Sequence, residues 1–230
     1  MPDKTEYAAP AQPAGPLDET AALAAAKRAL RAECRARLAA IPPEAWLHTG
    51  AEMAAYLTES AEWHAAKTVF CFVSLPCEPD TRPILRAALA QGKRLCVPRV
   101  LGGGKMECVV LPALSGLAPG IMNILEPEAA LQTRLSPAEI DLALIPCLTA
   151  AENGARLGHG GGYYDRFLAG YRGAALLVCA EAMLTPAARI PTGAQDVPLA
   201  RLLTENGLRD ACAAKAGPAP GAALPEGGTL

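Results

Sequence analysis

Arg156-Leu157-Gly158-His159-Gly160-Gly161-Gly162-Tyr163-Tyr164-Asp165-Arg166 is the stretch of this sequence best equipped for chemistry. Four glycines in five positions give the backbone access to positive φ and let a ligand approach the amides with no Cβ in the way. Consecutive N–H groups at a helix start form a concave donor array, which the helix dipole favours for phosphate. No Gly-Lys-Ser/Thr follows, so this is not a Walker-type loop, and the spacing is not GxGxxG either. A plain strand-to-helix turn would use the glycines but has no need of the Arg, His, two Tyr and Asp beside them. Asp165 reads either as a first-turn cap or as a hard oxygen ligand for Mg²⁺, which takes one or two carboxylates together with substrate phosphates. Asp196, in Gln195-Asp196-Val197-Pro198, follows a later strand and offers a second carboxylate on the same rim; alone it would be a turn residue.

Lys27, Arg31 and Arg35 fall at i, i+4 and i+8 of a helical segment. Like charges at that spacing repel by about 0.2–0.5 kcal/mol per pair, a cost that a polyanion along the face would turn into attraction. The plainer alternative is a solvated basic face. In Leu75-Pro76-Cys77-Glu78-Pro79-Asp80-Thr81, Asp80 or Thr81 suits an N-cap for the next helix. Glu78 is then left over as a partner for amide-like or pterin-like N–H donors. Gly102-Gly103-Gly104-Lys105 reads as a hairpin turn, His48 and His64 are isolated, and no Ser/His/Asp or Cys/His relay is visible.

Positioning these residues requires a sheet. Leu23, Leu30, Cys34, Leu38 and Ile41 form a helical stripe that Pro42-Pro43 ends, and a second helix runs from Pro43 through Leu57. Apolar runs at 69–75, 141–148 and 174–181 read as strands buried on both faces, and 94–100 reads as a further strand after the first. Further strands are expected at 105–111 and 202–205, with helices at 82–91 and 163–171. Strands alternating with helices predict a single α/β domain, a mostly parallel sheet with helices on both faces. Ligands of such sheets gather beyond the carboxyl ends of the strands, which directs attention to the loops after Leu75, Val100, Leu148 and Glu181.

Composition sets the remaining bounds. Hydrophobic residues make up 51% of the 230, enough for a sizeable core. The net charge of −2 and 4% aromatic content argue against broad capture of nucleic acid, by charge or by stacking. No apolar run is long enough for a membrane span, and the acidic, proline-containing N-terminus is unlike a signal or transit peptide. Eight cysteines with no CxxC pair, mostly within apolar runs, fit a reduced, cytoplasmic protein. Residues 1–17 and 213–230, rich in Pro, Ala and Gly, are expected to be flexible tails around a domain at 18–212.

Taken in chain order, Lys27-x-x-Leu30-Arg31, Glu78-x-Asp80-Thr81, Pro98-Arg99, Gly120-Ile121 with Glu126-Pro127, Asp141–Pro146, Arg156–Arg166, and Asp196-Val197 with Thr204-Glu205 resemble the 5-formyltetrahydrofolate cyclo-ligase family over about 24–206. The resemblance implies a fold of the sugar-phosphate isomerase and CoA-transferase type. It also implies an ATP- and Mg²⁺-dependent ring closure of 5-formyltetrahydrofolate through a phosphorylated formyl oxygen. By the same resemblance Lys27 and Arg31 contact ATP phosphates, and Arg156, Leu157, Gly158, His159, Gly160, Gly161, Gly162, Tyr163 and Tyr164 cradle them. Arg156, His159 and Tyr163 are the implied catalytic residues, and Asp165 and Asp196 the Mg²⁺ ligands. Leu75, Glu78, Asp80, Met122 and Tyr163 would line the folate pocket. Position 159 is often Tyr, Phe or Arg in that family and is His here, so residue type alone supplies no fixed positive charge. Two other readings compete: a non-catalytic phosphate- or folate-binding module, and an isomerase- or CoA-transferase-like enzyme. Neither has use for two metal-binding aspartates. A monomer acting on a small molecule, with no nucleic-acid or membrane partner, is expected.

Overall fold

The stripe from Leu23 folds as helix α1 (Pro16–Ala39), which buries Leu30 and Cys34. Its last turn closes through Ala40 N–H to Arg37 O and Ile41 N–H to Leu38 O, after which Pro42 and Pro43 forbid continuation. Pro43 then opens α2 (Pro43–Thr58) at the first turn, where its missing N–H costs nothing. The computed structural model describes residues 16–120 and 125–211. Helix α1 thus begins two residues before the expected domain boundary, while 1–15 and 212–230 lie outside the described residues.

The remaining elements are α3 (Ala61–Ala65), β1 (Thr68–Cys71), α4 (Arg82–Ala90), β2 (Arg94–Gly102), β3 (Lys105–Val110), β4 (Leu117–Pro119), β5 (Leu125–Pro127) and β6 (Arg134–Leu135). After them come β7 (Leu142–Pro146), β8 (Thr149–Ala150), β9 (Arg156–Leu157), α5 (Tyr163–Gly170), β10 (Ala174–Val178), β11 (Arg201–Thr204) and β12 (Gly207–Asp210). Eight strands form one sheet in the order β12-β11-β10-β7-β1-β2-β3-β6. Its centre, from β11 through β2, is parallel, in agreement with the buried apolar runs; both edges are antiparallel. At one edge the three glycines 102–104, all at positive φ, turn β2 back on β3 as a hairpin.

The strand expected over 69–75 ends at Cys71. Thr81 is the reason: its hydroxyl donates to Phe72 O at 2.9 Å and accepts from Ser74 N–H at 3.0 Å, taking the place of a neighbouring strand. Helix α3 was not foreseen, although Ser60 caps it by accepting from Trp63 N–H. The short strands β4, β5, β6, β8, β9 and β12 were also missed, being too brief to show a period.

Apolar side chains fill both faces of the sheet. Leu30, Cys34, Phe167 and Leu168 bring α1 and α5 onto one face with Phe70, Ala143 and Ile145. Met53, Leu57, Trp63, Ile84 and Leu85 bring α2, α3 and α4 onto the other with Val69, Leu142 and Leu144. Among the described residues no helix is long and apolar enough to cross a membrane.

Candidate active site

From β1 the chain steps to β2 on one side, while β7, β10 and β11 extend on the other. Strands β1 and β7 therefore flank the point where the winding reverses, and the loops beyond their carboxyl ends diverge to leave a crevice. The loop after β1 carries Glu78. The chain after β7 forms the β8–β9 ribbon and returns Arg156 and the glycine segment to the same rim.

In that segment Gly160 has φ +107° and Gly162, the residue capping α5, has φ +66°; side-chain-bearing residues rarely adopt such values. A Cβ on Gly160 would lie 3.2 Å from the guanidinium carbon of Arg31. Arg31 leans across the loop and donates from Nε to Gly158 O at 2.9 Å. One turn earlier on α1, Lys27 Nζ contacts both oxygens of Asp196, at 2.8 and 2.5 Å. The two basic residues singled out on α1 thus meet the two segments singled out near the C-terminus. Arg35 is exposed on the same helix.

Arg156 is almost buried, its side chain 6% exposed, and donates to Asp165 and to Val197 O. Val197 N–H in turn lies 3.5 Å from the same Asp165 oxygen. Arg156 therefore stands behind Asp165 and aims it. Asp165 does not cap α5. Each carboxylate carries one basic partner and keeps partial exposure, 32% for Asp165 and 23% for Asp196. Among the described residues no group of three or more His, Cys, Asp or Glu is placed to enclose a metal. Two carboxylates at one rim do fit Mg²⁺ of the kind that completes its octahedron with phosphate oxygens and water.

Glu78 accepts from Leu75 N–H at 2.9 Å, and its other oxygen lies 3.3 Å from His159 Nε2, closing the crevice between the β1 loop and the glycine segment. His159 thus gains a carboxylate partner. Asp80 is buried and accepts from the backbone and side chain of Arg82; the N-cap position of α4 is Thr81, whose hydroxyl makes no cap bond and goes to Phe72 O instead. Met122 lies outside the described residues. Tyr164 tilts against Phe70, with 6.4 Å between ring centroids. Burial, reinforced by the Glu78 carboxylate, holds its phenol well above the ordinary range, so it stays protonated.

Tyr163 faces the other way. Arg166 sits over its ring at 5.8 Å and donates to Gly104 O and Gly161 O, tying the β2–β3 turn to the glycine segment. Between them opens a cavity of about 450 Å³, walled by Leu101, Met106, Glu107, Arg134, Tyr163 and Phe167. Apart from Tyr163, none of these was singled out from the sequence. Arg134 bridges to Glu107 at 2.7 Å across β6 and β3, a pairing of distant segments that no local pattern reveals.

The sequence profile of the 5-formyltetrahydrofolate cyclo-ligase family matches residues 23–205. The chain is 31% identical over 149 residues to the 5-formyltetrahydrofolate cyclo-ligase of Mus musculus, covering 62% of this chain and 73% of that protein. To the Escherichia coli K12 cyclo-ligase it is 30% identical over 136 residues, covering 58% and 75%. The solved 5,10-methenyltetrahydrofolate synthetase of Aquifex aeolicus superposes with a TM-score of 0.70 at 24% identity, covering 87% of this chain and 96% of that one, a likeness of fold. With the profile spanning α1 through β11 and including every segment of the rim, the chain belongs to the 5-formyltetrahydrofolate cyclo-ligase family.

Proposed function

We propose that this chain closes the ring of 5-formyltetrahydrofolate to 5,10-methenyltetrahydrofolate, using ATP and releasing ADP and phosphate. The formyl oxygen is a poor leaving group until it takes the γ-phosphoryl group. N10 of the folate then attacks the activated carbon, phosphate departs and the N10 proton is lost. No protein nucleophile is required; catalysis rests on positioning and on neutralising charge.

The backbone amides of 158–164 supply donors for the triphosphate, and Arg31, already bonded to Gly158 O, stands against that loop as a cation. Lys27 is freed for phosphate when Asp196 takes another cation. Asp165 and Asp196 would hold Mg²⁺, which when bound neutralises phosphate charge. Arg156 keeps Asp165 aimed, and His159, paired with Glu78, closes the far side of the loop. The 450 Å³ cavity beside Tyr163 has the room and the apolar walls for a ring system, with Arg134 and Arg166 placed for carboxylates. Leu75, Glu78, Asp80 and Met122 belong, in this reading, to the folate side. In this reading the chain acts as a monomer, and the abundance of thiols suits a reducing cytoplasm.

The single observation that carries this reading is the meeting of Lys27 with Asp196, 169 residues away, beside a glycine loop held by Arg31. The test is the absorbance of the methenyl product. It is expected to rise only when ATP and a divalent cation are both present, with one ADP formed per product. Product formation without ATP, or ATP hydrolysis without product, would overturn it.

A further inference from the structure

Beneath Glu78 and His159 two cysteines stand side by side. The parallel pairing of β7 with β10 runs from Leu142↔Ala174 to Pro146↔Val178, so the next residues, Cys147 and Cys179, continue that register. Neighbouring strands lie about 4.8 Å apart, inside the window of roughly 4.4–6.8 Å between Cα atoms that a disulfide requires. Cys147 Sγ reaches Val178 O and Cys179 Sγ reaches Ala180 O, both at 3.5 Å. Both side chains lie on the α1–α5 face of the sheet. They line one small cavity with Trp46, Glu78, His159 and Met183.

The thiols on β2 and β3 make a useful contrast. Cys96 pairs with Val110, and Cys108 with Pro98. That diagonal offset places such residues about 7–8 Å apart, beyond the disulfide window.

We propose that Cys147 and Cys179 form a reversible dithiol–disulfide couple that controls the candidate site. The oxidant is of the hydroperoxide class. One sulfur attacks the O–O bond, becoming a sulfenic acid while the alcohol leaves (water, for hydrogen peroxide). The second sulfur displaces water from the sulfenic sulfur, so two thiol hydrogens and two electrons go to the peroxide and one S–S bond forms. Burial and the neighbouring Cys179 thiol hold the Cys147 thiol well above its ordinary range, so closure is slow at neutral pH and quickens as pH rises.

The bond draws together the strand ends that lead to the glycine segment and to the stretch carrying Asp196. It also disturbs the floor under Glu78 and His159. The effect on turnover rests on the function proposed above; formation of the bond does not.

The test treats the full chain with hydrogen peroxide, blocks free thiols and maps peptides by mass. The expected result is a linked Cys147–Cys179 peptide lacking two hydrogens, a loss of methenyl-forming turnover, and recovery of both by dithiothreitol. Cys147→Ser and Cys179→Ser should abolish the linked peptide and resist the loss, whereas Cys77→Ser and Cys34→Ser should behave as the parent. Absence of the linked peptide in the parent chain overturns the proposal, and that measurement depends on no variant. A linked peptide with undiminished turnover overturns control of the site. Reduced protein with no turnover at all defeats the function reading, and the peptide map alone then decides the couple.

Discussion

At the entries to β1 and β2, two charged side chains bond to backbone. Asp141 Oδ2 accepts from Lys67 N–H and Thr68 N–H, both at 2.8 Å, fixing the entry to β1 against β7. Lys93 Nζ donates to Trp63 O and Ala66 O at 2.7 Å while lying over the Trp63 ring. At the candidate site, beyond the carboxyl ends, acidic side chains meet side-chain partners: Lys27 pairs with Asp196, Arg156 with Asp165, and His159 Nε2 lies beside Glu78. The first set completes hydrogen bonds that the fold itself needs, and nothing can take its place. In the second, the Lys27–Asp196 pair stays partly open, so a polyanion with its counter-cation can exchange partners with it at little cost. The sheet thus has backbone-bonded charges at the entries to β1 and β2 and an exchangeable pair, Lys27 with Asp196, at the candidate site.

Substitutions can break this contrast. The largest effect is expected from Asp165→Asn, which keeps the shape but removes the charge: turnover falls by roughly 10²–10³-fold, as when one transition-state stabiliser is lost, with thermal stability near that of the parent. Steady-state kinetics beside a melting curve would check it, and unchanged activity would refute the proposal that Asp165 holds Mg²⁺. Lys27→Ala is expected to raise the KM for ATP by about 10–100-fold, the worth of a charged hydrogen bond of about 1.5–3 kcal/mol. The KM for folate should move less; the reverse pattern would shift α1 to the folate side. At the opposite end Asp141→Ala should lower unfolding stability by about 1–2 kcal/mol in urea titration, leaving the kcat of folded protein unchanged. Smallest is Lys93→Met, about 1 kcal/mol of stability and no change in either KM. A kinetic defect in either of the last two would erase the distinction between the ends.

Much of the scaffold was legible because burial on both faces leaves an unmistakable trace. The apolar runs at 69–75, 94–100, 141–148 and 174–181 locate the four central strands, and the proline pair at 42–43 locates the break between the first two helices. The β1 run overshot because a threonine ten residues on from its last strand residue took over the hydrogen bonds, a contact invisible to periodicity. In the site, the glycines and the aspartates stood out by residue type. Residue type did not reveal that Arg156, expected in the phosphate cradle, is paired with Asp165 and nearly buried.

By itself the sequence determined the four central strands, the longer helices and the glycine-rich segment between β9 and α5, since hydrophobic period, proline and glycine act within a few residues. Only the tertiary structure decided that Lys27 meets Asp196, that His159 meets Glu78, and that Cys147 stands beside Cys179. Those meetings depend on strand order and register, and these follow from packing both faces of the sheet at once, a condition that no local stretch of chain contains.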